Sequence, residues 1–207
     1  MYDTIIFDLD GTLLDTSEGI FNSVRYVEKE LMLNPAEDDK LRFFLGPPPK
    51  EMYKKIYGLS ETQAIVATKK HREYGNKKAI YESHVYDGIG DVLSGLKANG
   101  YKMAVATLKK QEIAEKILEY YKIKDFFEII VGMDEEETYT KSQIIFEVVN
   151  RLKSHKAVMI GDSEYDSNGA KKAGVDFIGV LYGFGFDVNK QYSYKTVETP
   201  IDLLKIL

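Results

Sequence analysis

Cysteine is absent from this chain of 207 residues, which excludes disulfides and thiolate metal sites and is compatible with a reducing compartment. Histidine occurs three times, at His71, His84 and His155, never with a partner at ligand spacing, so each is expected at the surface or at a boundary. Positive charge is not in excess either: 28 Lys and Arg stand against 33 Asp and Glu, a net charge of -5, which argues against a nucleic-acid polymer as partner. Any phosphate site must therefore be local. No apolar run approaches the length of a membrane span, so no membrane partner is expected. The opening residues carry Asp3, Asp8 and Asp10 where a secretory signal needs a basic and then an apolar stretch, and a cytoplasmic protein is the expectation. Internal repeats and low-complexity linkers are missing as well.

What is present falls into two kinds of sequence. Short β-rich apolar runs recur at residues 4–9, 101–106, 127–131, 157–160 and 177–180, each of a length suited to a buried strand. Helical patterns lie between them, at residues 88–99, 110–121, 142–153 and 166–173. Strand alternating with helix predicts an α/β fold, a Rossmann-like parallel sheet covered on both faces. Residues 16–81 break the alternation and read as helices only: 18–31, a piece from Asp38, 49–57 after a proline-rich turn, and 60–78, which starts on a capping box of Ser60 and Gln63. The organisation expected is a catalytic core of residues 1–15 and 84–207 with a helical cap, 16–83, inserted after the first strand.

The chemistry concentrates where strands end. Asp8 and Asp10 close the first strand, Asp162 and Asp166 follow the strand 157–160, Thr107 closes the strand beginning at Tyr101, and Lys141 precedes a helix. Ligands of open α/β sheets bind at those strand ends, near the point where strand order reverses. Carboxylates crowded there raise one another's pKa, and a bound cation relieves the conflict. An all-oxygen donor set suits a hard ion, and two or three carboxylates with waters and a phosphate oxygen form the Mg2+ pattern. Thr107, Lys141 and backbone N–H groups of the 8–12 turn suit a phosphate, although Lys109 and Lys110 compete with Lys141 for that part.

Taken in order, DLDGTLLD from Asp8, then Thr107, Lys141 and GDSEYD from Gly161, this sequence resembles the four motifs of the haloacid dehalogenase-like (HAD) phosphohydrolase superfamily across nearly the whole chain. The inserted helices resemble the cap of its phosphoglycolate phosphatase and β-phosphoglucomutase branch. Within it, LGPPPKEMY, VGMDEEETYTKSQII and GVLYGFG are similar to proteins labelled phosphoglycolate phosphatase-like or 5′-nucleotidase-like. The resemblance implies a Mg2+-dependent phosphatase of a small phosphorylated metabolite. Asp8 is then the nucleophile that forms an aspartyl-phosphate, and Asp10 the general acid and base. Mg2+ is held by Asp8, Asp162 and the backbone carbonyl of Asp10, and Asp166 supports it from behind. Thr107, Lys141, Gly11 and the N–H of Leu108 serve the phosphoryl group, while Thr12 and Asp15 fix the turn.

Leu108 and Ser142 depart from the family pattern, which commonly has Ser or Asn and Pro at those places, and they bear on substrate recognition. In the cap, Arg42, Lys50 and Lys54 beside the proline-rich turn are the candidate substrate contacts. Glu135-Glu136-Glu137 reads as a solvated loop. Gly183-Phe184-Gly185 lacks the rest of a dinucleotide fingerprint and reads as a tight turn. Two other functions fit the same residues: a phosphosugar mutase, and a catalytically idle binding protein.

Overall fold

The computed structural model describes residues 2–134 and 138–207, so the expected Glu135-Glu136-Glu137 loop lies outside the described residues. The chain divides into two compact units, one built from residues up to Asp15 and from Val85 onward, the other from Thr16–His84.

In the first unit, β1 (Thr4–Phe7) is buried along its whole length, because TIIF is apolar or β-branched at every position and both faces of the sheet are covered. The short strands β2 (Leu14–Asp15) and β3 (His84–Val85) mark where the chain leaves the unit and returns. Helix and strand then alternate through α5 (Ile89–Ala98), β4 (Lys102–Lys110), α6 (Gln111–Tyr120), β5 (Ile129–Met133), α7 (Lys141–Leu152), β6 (Ala157–Gly161), α8 (Glu164–Ala173) and β7 (Asp176–Val180), after which β8 (Lys195–Val197) follows without an intervening helix and α9 (Leu203–Ile206) comes last. The sheet order is β5-β4-β1-β6-β7-β8, and its paired strands run parallel. β1 is central, with β4 on one side and β6 on the other, so strand order reverses at the strand that delivers Asp8 and Asp10. Ile6, Ala104, Ala106 and Met159 of the sheet pack with Ile144, Ile145 and Val148 of α7 in one apolar cluster. The expected α/β fold class with a parallel sheet is what the chain adopts.

Several boundaries differ from expectation. β4 continues through the polar residues to Lys110, past an irregularity after Ala106, because Lys110 still pairs with Met133 of β5. Thr107 therefore lies inside the strand. α7 begins at Lys141 rather than Ser142, since Thr140 and Gln143 form a capping box. α8 begins at Glu164 rather than Asp166, because Ser163 caps it and Asp166, the third residue of the helix, closes the capping box. β8 was not expected.

The second unit is helical, as its sequence pattern indicated: α1 (Ser17–Glu30), α2 (Asp38–Leu41), α3 (Pro49–Tyr57) and α4 (Glu61–Lys77), with 3-10 turns at Arg42–Phe44 and Ala79–Tyr81. Proline opens α3, where its missing N–H costs nothing, and left-handed Gly58 closes it. The Ser60–Gln63 capping box starts α4. Val24 and Val27 of α1, Phe44, Met52 and Tyr53, and Ala64 and Ala67 of α4 form the core of this unit. His71 is a correction: it is buried, with Nδ1 3.0 Å from the Tyr53 hydroxyl and its ring stacked on Phe44. No described helix is long and apolar enough to cross a membrane.

Candidate active site

The site forms at the carboxyl end of β1, where the chain must turn sharply off a buried strand. Gly11 makes that turn with φ of +80°, a conformation that residues with a Cβ rarely adopt, and its N–H donates to the Leu14 carbonyl at 2.8 Å. Asp8 therefore stays at the strand end, almost wholly buried, while Asp10 sits on the turn and is partly exposed. β6, paired beside β1, brings in Asp162 just past Gly161, and the capping box of α8 turns Asp166 back toward it. Carboxylate oxygens of Asp8, Asp162 and Asp166, all buried, lie within 4.8 Å of one another.

Lys141 is the counter-charge. Its buried Nζ donates to Asp8 Oδ1 at 2.5 Å and to the Ala106 carbonyl at 2.7 Å, and it pairs with Asp166 Oδ1 at 2.7 Å. One ammonium offsets only one of three carboxylates. Burial accordingly pushes the Asp8 carboxyl up to about 7; Lys141 pulls it down, while Asp166 and Asp10 push it further up. Burial also holds Asp162 well above the usual carboxylate range, with Asp166 and Asp8 adding to the effect and the Phe184 N–H and Lys141 opposing it. The Lys141 ammonium would lose its proton more readily through burial alone, but Asp166 and Asp8 outweigh burial and keep it charged.

Does this group suit a cation? The donors are all carboxylate oxygens, they converge, and they carry more negative charge than the single lysine cancels. Those are the conditions a hard divalent ion satisfies, and a soft one does not. The fit is to the ion class; it follows from charge and donor chemistry alone.

The other expected residues are distributed as follows. The Asp10 carboxylate lies outside the three-carboxylate group; its Oδ1 is 3.2 Å from Lys109 Nζ. Thr107 is buried, and its hydroxyl oxygen accepts the Lys109 N–H at 3.1 Å, which leaves the hydroxyl hydrogen to donate elsewhere. Leu108 is partly buried and packs against the apolar cluster under the sheet. Thr12 is buried, its Oγ1 without a hydrogen-bond partner among the described residues, while its carbonyl accepts the Tyr182 hydroxyl at 3.0 Å. Asp15 is half-buried in β2, near enough to Tyr86 that its charge, after burial, helps keep that phenol protonated. In the second unit, Lys50 and Lys54 both pair with Glu61, at 2.9 and 2.5 Å, and Arg42 is exposed in the 3-10 turn.

Sequence reasoning missed two features. Lys109, weighed only as a rival to Lys141, is the ion-pair partner of Asp10. The Gly183-Phe184-Gly185 turn lies against Asp162, and the Phe184 N–H donates to Asp162 Oδ2 at 2.8 Å. The pair of glycines was the available signal for the second; the first had none beyond proximity to Thr107.

Comparison with known proteins adds relatives to this geometry. Residues 5–180 match the family described as haloacid dehalogenase-like hydrolase. A 5′-nucleotidase of Pseudomonas aeruginosa is 36% identical over 187 residues, which cover 89% of this chain and 85% of that protein. A phosphoglycolate phosphatase of Aquifex aeolicus is 29% identical over 208 residues, 98% of this chain and 95% of the relative. Among solved structures, that of a predicted phosphatase from Clostridium acetobutylicum superimposes with a TM-score of 0.90 at 37% identity, covering 100% of this chain and 98% of the other.

Proposed function

The chain belongs to the haloacid dehalogenase-like hydrolase family, and from that premise we propose that it is a Mg2+-dependent phosphatase acting on a phosphomonoester of a small metabolite through an aspartyl-phosphate. The observation that carries this reading is the buried Asp8 carboxylate, grouped with Asp162 and Asp166 and held by Lys141 at the switch point of the sheet. The names of the relatives, a 5′-nucleotidase and a phosphoglycolate phosphatase, support a small phosphate ester as the substrate class.

An Asp8 oxygen attacks phosphorus, and the bond from phosphorus to the ester oxygen breaks as the new one forms. Asp10, in its acid form, gives its proton to the departing alkoxide. As a carboxylate it then takes a proton from water, the resulting hydroxide attacks phosphorus, and Asp8 leaves with its charge restored as inorganic phosphate departs. Its partial exposure gives water a route to it, and Lys109 Nζ lies 3.2 Å from its Oδ1. Thr107 donates its hydroxyl hydrogen and Leu108 its N–H to the phosphoryl oxygens, while Lys141 orients Asp8; Gly11, expected to add its own N–H, gives it to the Leu14 carbonyl instead and serves through the turn it makes. Asp8, Asp162 and the Asp10 carbonyl would hold Mg2+, with Asp166 supporting them, and the bound ion would supply positive charge to offset that of the phosphoryl group. The helical unit Thr16–His84 serves as the cap that selects the ester's leaving group, with Arg42, Lys50 and Lys54 as the candidate contacts.

The test is phosphate release from a panel of nucleoside monophosphates, phosphoglycolate and sugar phosphates with Mg2+, for the wild type and Asp8→Asn. The wild type should turn over at least one ester, and the variant should lose about a thousandfold or more, as expected when a covalent nucleophile is removed. Appreciable turnover by the variant would rule out the covalent route.

A further inference from the structure

The turn that follows β7 has no part in the reaction just described, yet it is fitted closely against Asp162. A Cβ at Gly183 would overlap both the Asp162 Cβ and the Gly11 carbonyl oxygen, and one at Gly185 would lie 2.7 Å from the Asp162 carbonyl oxygen. Neither glycine has positive φ, so space rather than backbone conformation demands them. From the other side, a Cβ at Gly11 would collide with Asp162 Oδ2 and come within 2.8 Å of the Phe184 ring. Three separate stretches of chain, around residues 11, 162 and 184, thus meet at one carboxylate.

Two hydrogen bonds give this approach a direction. The Phe184 N–H donates to Asp162 Oδ2 at 2.8 Å, a charge-assisted bond. One residue before the glycine, the Tyr182 hydroxyl donates to the Thr12 carbonyl at 3.0 Å, tying the turn to the Gly11–Thr12 loop. Tyr86 packs edge-on against Tyr182, with ring centroids 4.9 Å apart. Asp162 needs such a restraint. It faces two other buried carboxylates, and unrestrained rotation would carry its oxygens away from them. A carboxylate pinned by one oxygen presents the other in a fixed direction.

We propose that the Gly183-Phe184-Gly185 turn is a positioning element that aims Asp162 at the cation site, with the Phe184 N–H as the pin and the two glycines as the clearance that lets it reach. This rests on the phosphatase reading, in which Asp162 is a ligand. Phe184 acts through its backbone, so what matters at that position is an amide.

The experiment measures Mn2+ affinity by electron paramagnetic resonance, without substrate, for three proteins: the wild type, a form with the Phe184 amide replaced by an ester, which deletes only the N–H, and Gly183→Ala. The Mg2+ dependence of phosphate release is recorded alongside. Both altered proteins should bind Mn2+ about 10- to 100-fold more weakly, the usual effect of removing a group that orients a ligand. Their kcat should approach wild type at saturating Mg2+, with KM for the ester little changed. A folded ester form that binds Mn2+ as tightly as wild type overturns the proposal. So does failure of both altered proteins to fold in saturating Mn2+, since the turn would then support the fold rather than aim a ligand. If the wild type itself binds no Mn2+, the phosphatase reading fails first, and the two failures are told apart.

Discussion

Lys141→Met removes an ammonium from a place where it meets three oxygens, Asp8 Oδ1 at 2.5 Å, Asp166 Oδ1 at 2.7 Å and the Ala106 carbonyl at 2.7 Å. Methionine fills most of the same volume, so the packing loss is small and the effect is electrostatic. Removing one partner of a buried ion pair costs about 3–5 kcal/mol because the remaining charge is left uncompensated. Here part of that cost can be escaped. Burial already raises the Asp8 carboxyl to about 7, with Lys141 pulling against it, so without the lysine it titrates higher still and takes up a proton near neutrality. The deficit relative to wild type is therefore largest where wild-type Asp8 is ionised, above 7, and shrinks as Asp8 becomes protonated in both proteins. Urea unfolding in EDTA, followed by circular dichroism, should show the variant about 3 kcal/mol less stable at about pH 8 and clearly less affected at about pH 6. Equal deficits at the two pH values, or a variant within about 0.5 kcal/mol of wild type at the higher one, would refute the reasoning.

Three further outcomes follow from the same geometry. The wild type in EDTA should be about 1 kcal/mol more stable at about pH 6 than at about pH 8, because folded Asp8 binds a proton that the unfolded chain has released, and saturating Mg2+ should abolish the difference in a thermal melt. Burial tends to raise the Asp3 carboxyl, but hydrogen bonds from the Ser154 hydroxyl, the His155 N–H, the Thr4 hydroxyl and the Lys156 N–H bring it down to about 2. Its stabilisation is present above the ordinary carboxylate pKa and lost as pH falls toward 2, so Asp3→Asn should lower stability at neutral pH by about 1 kcal/mol after allowance for solvent screening, and should flatten the acid limb of a denaturation profile. Gly169→Ala places a methyl group 2.8 Å from the Lys141 Cγ and 3.3 Å from the Ile145 Cδ1, and steady-state kinetics should show kcat falling more than KM as the lysine is displaced, with a stability loss of about 1–3 kcal/mol.

How much of this was legible beforehand depends on how local each cause is. The strand at Thr4, the turn at Gly11 and the Ser60–Gln63 capping box each arise within a few residues, and each could be read directly. Capping boxes at Thr140 and Ser163 were equally local, but there Lys141 and Asp166 were read for their charge, and the two helices were started one and two residues late. β8 has three residues and two polar side chains, too short for any period to show. Partners distant in sequence were out of reach. Lys141 and Asp8 are 133 residues apart, and His71 finds Tyr53 on another helix. The turn at Gly183 could be read as a turn, but what it presses against is decided by the order of strands in the sheet.

That strand order also shapes how the molecule comes into being. β1 lies at the middle of the sheet, yet its neighbours are β4, whose pairing begins at Lys102, and β6, whose pairing begins at Ala157. On a ribosome the four residues TIIF would leave the exit tunnel long before either neighbour exists, as an apolar segment with two unpaired edges. The loop closures needed to enclose it are long, which places sheet completion late in folding. The helical unit Thr16–His84 has its own core and emerges whole in between. Its early folding would shorten the effective distance that β1 must span to find β4.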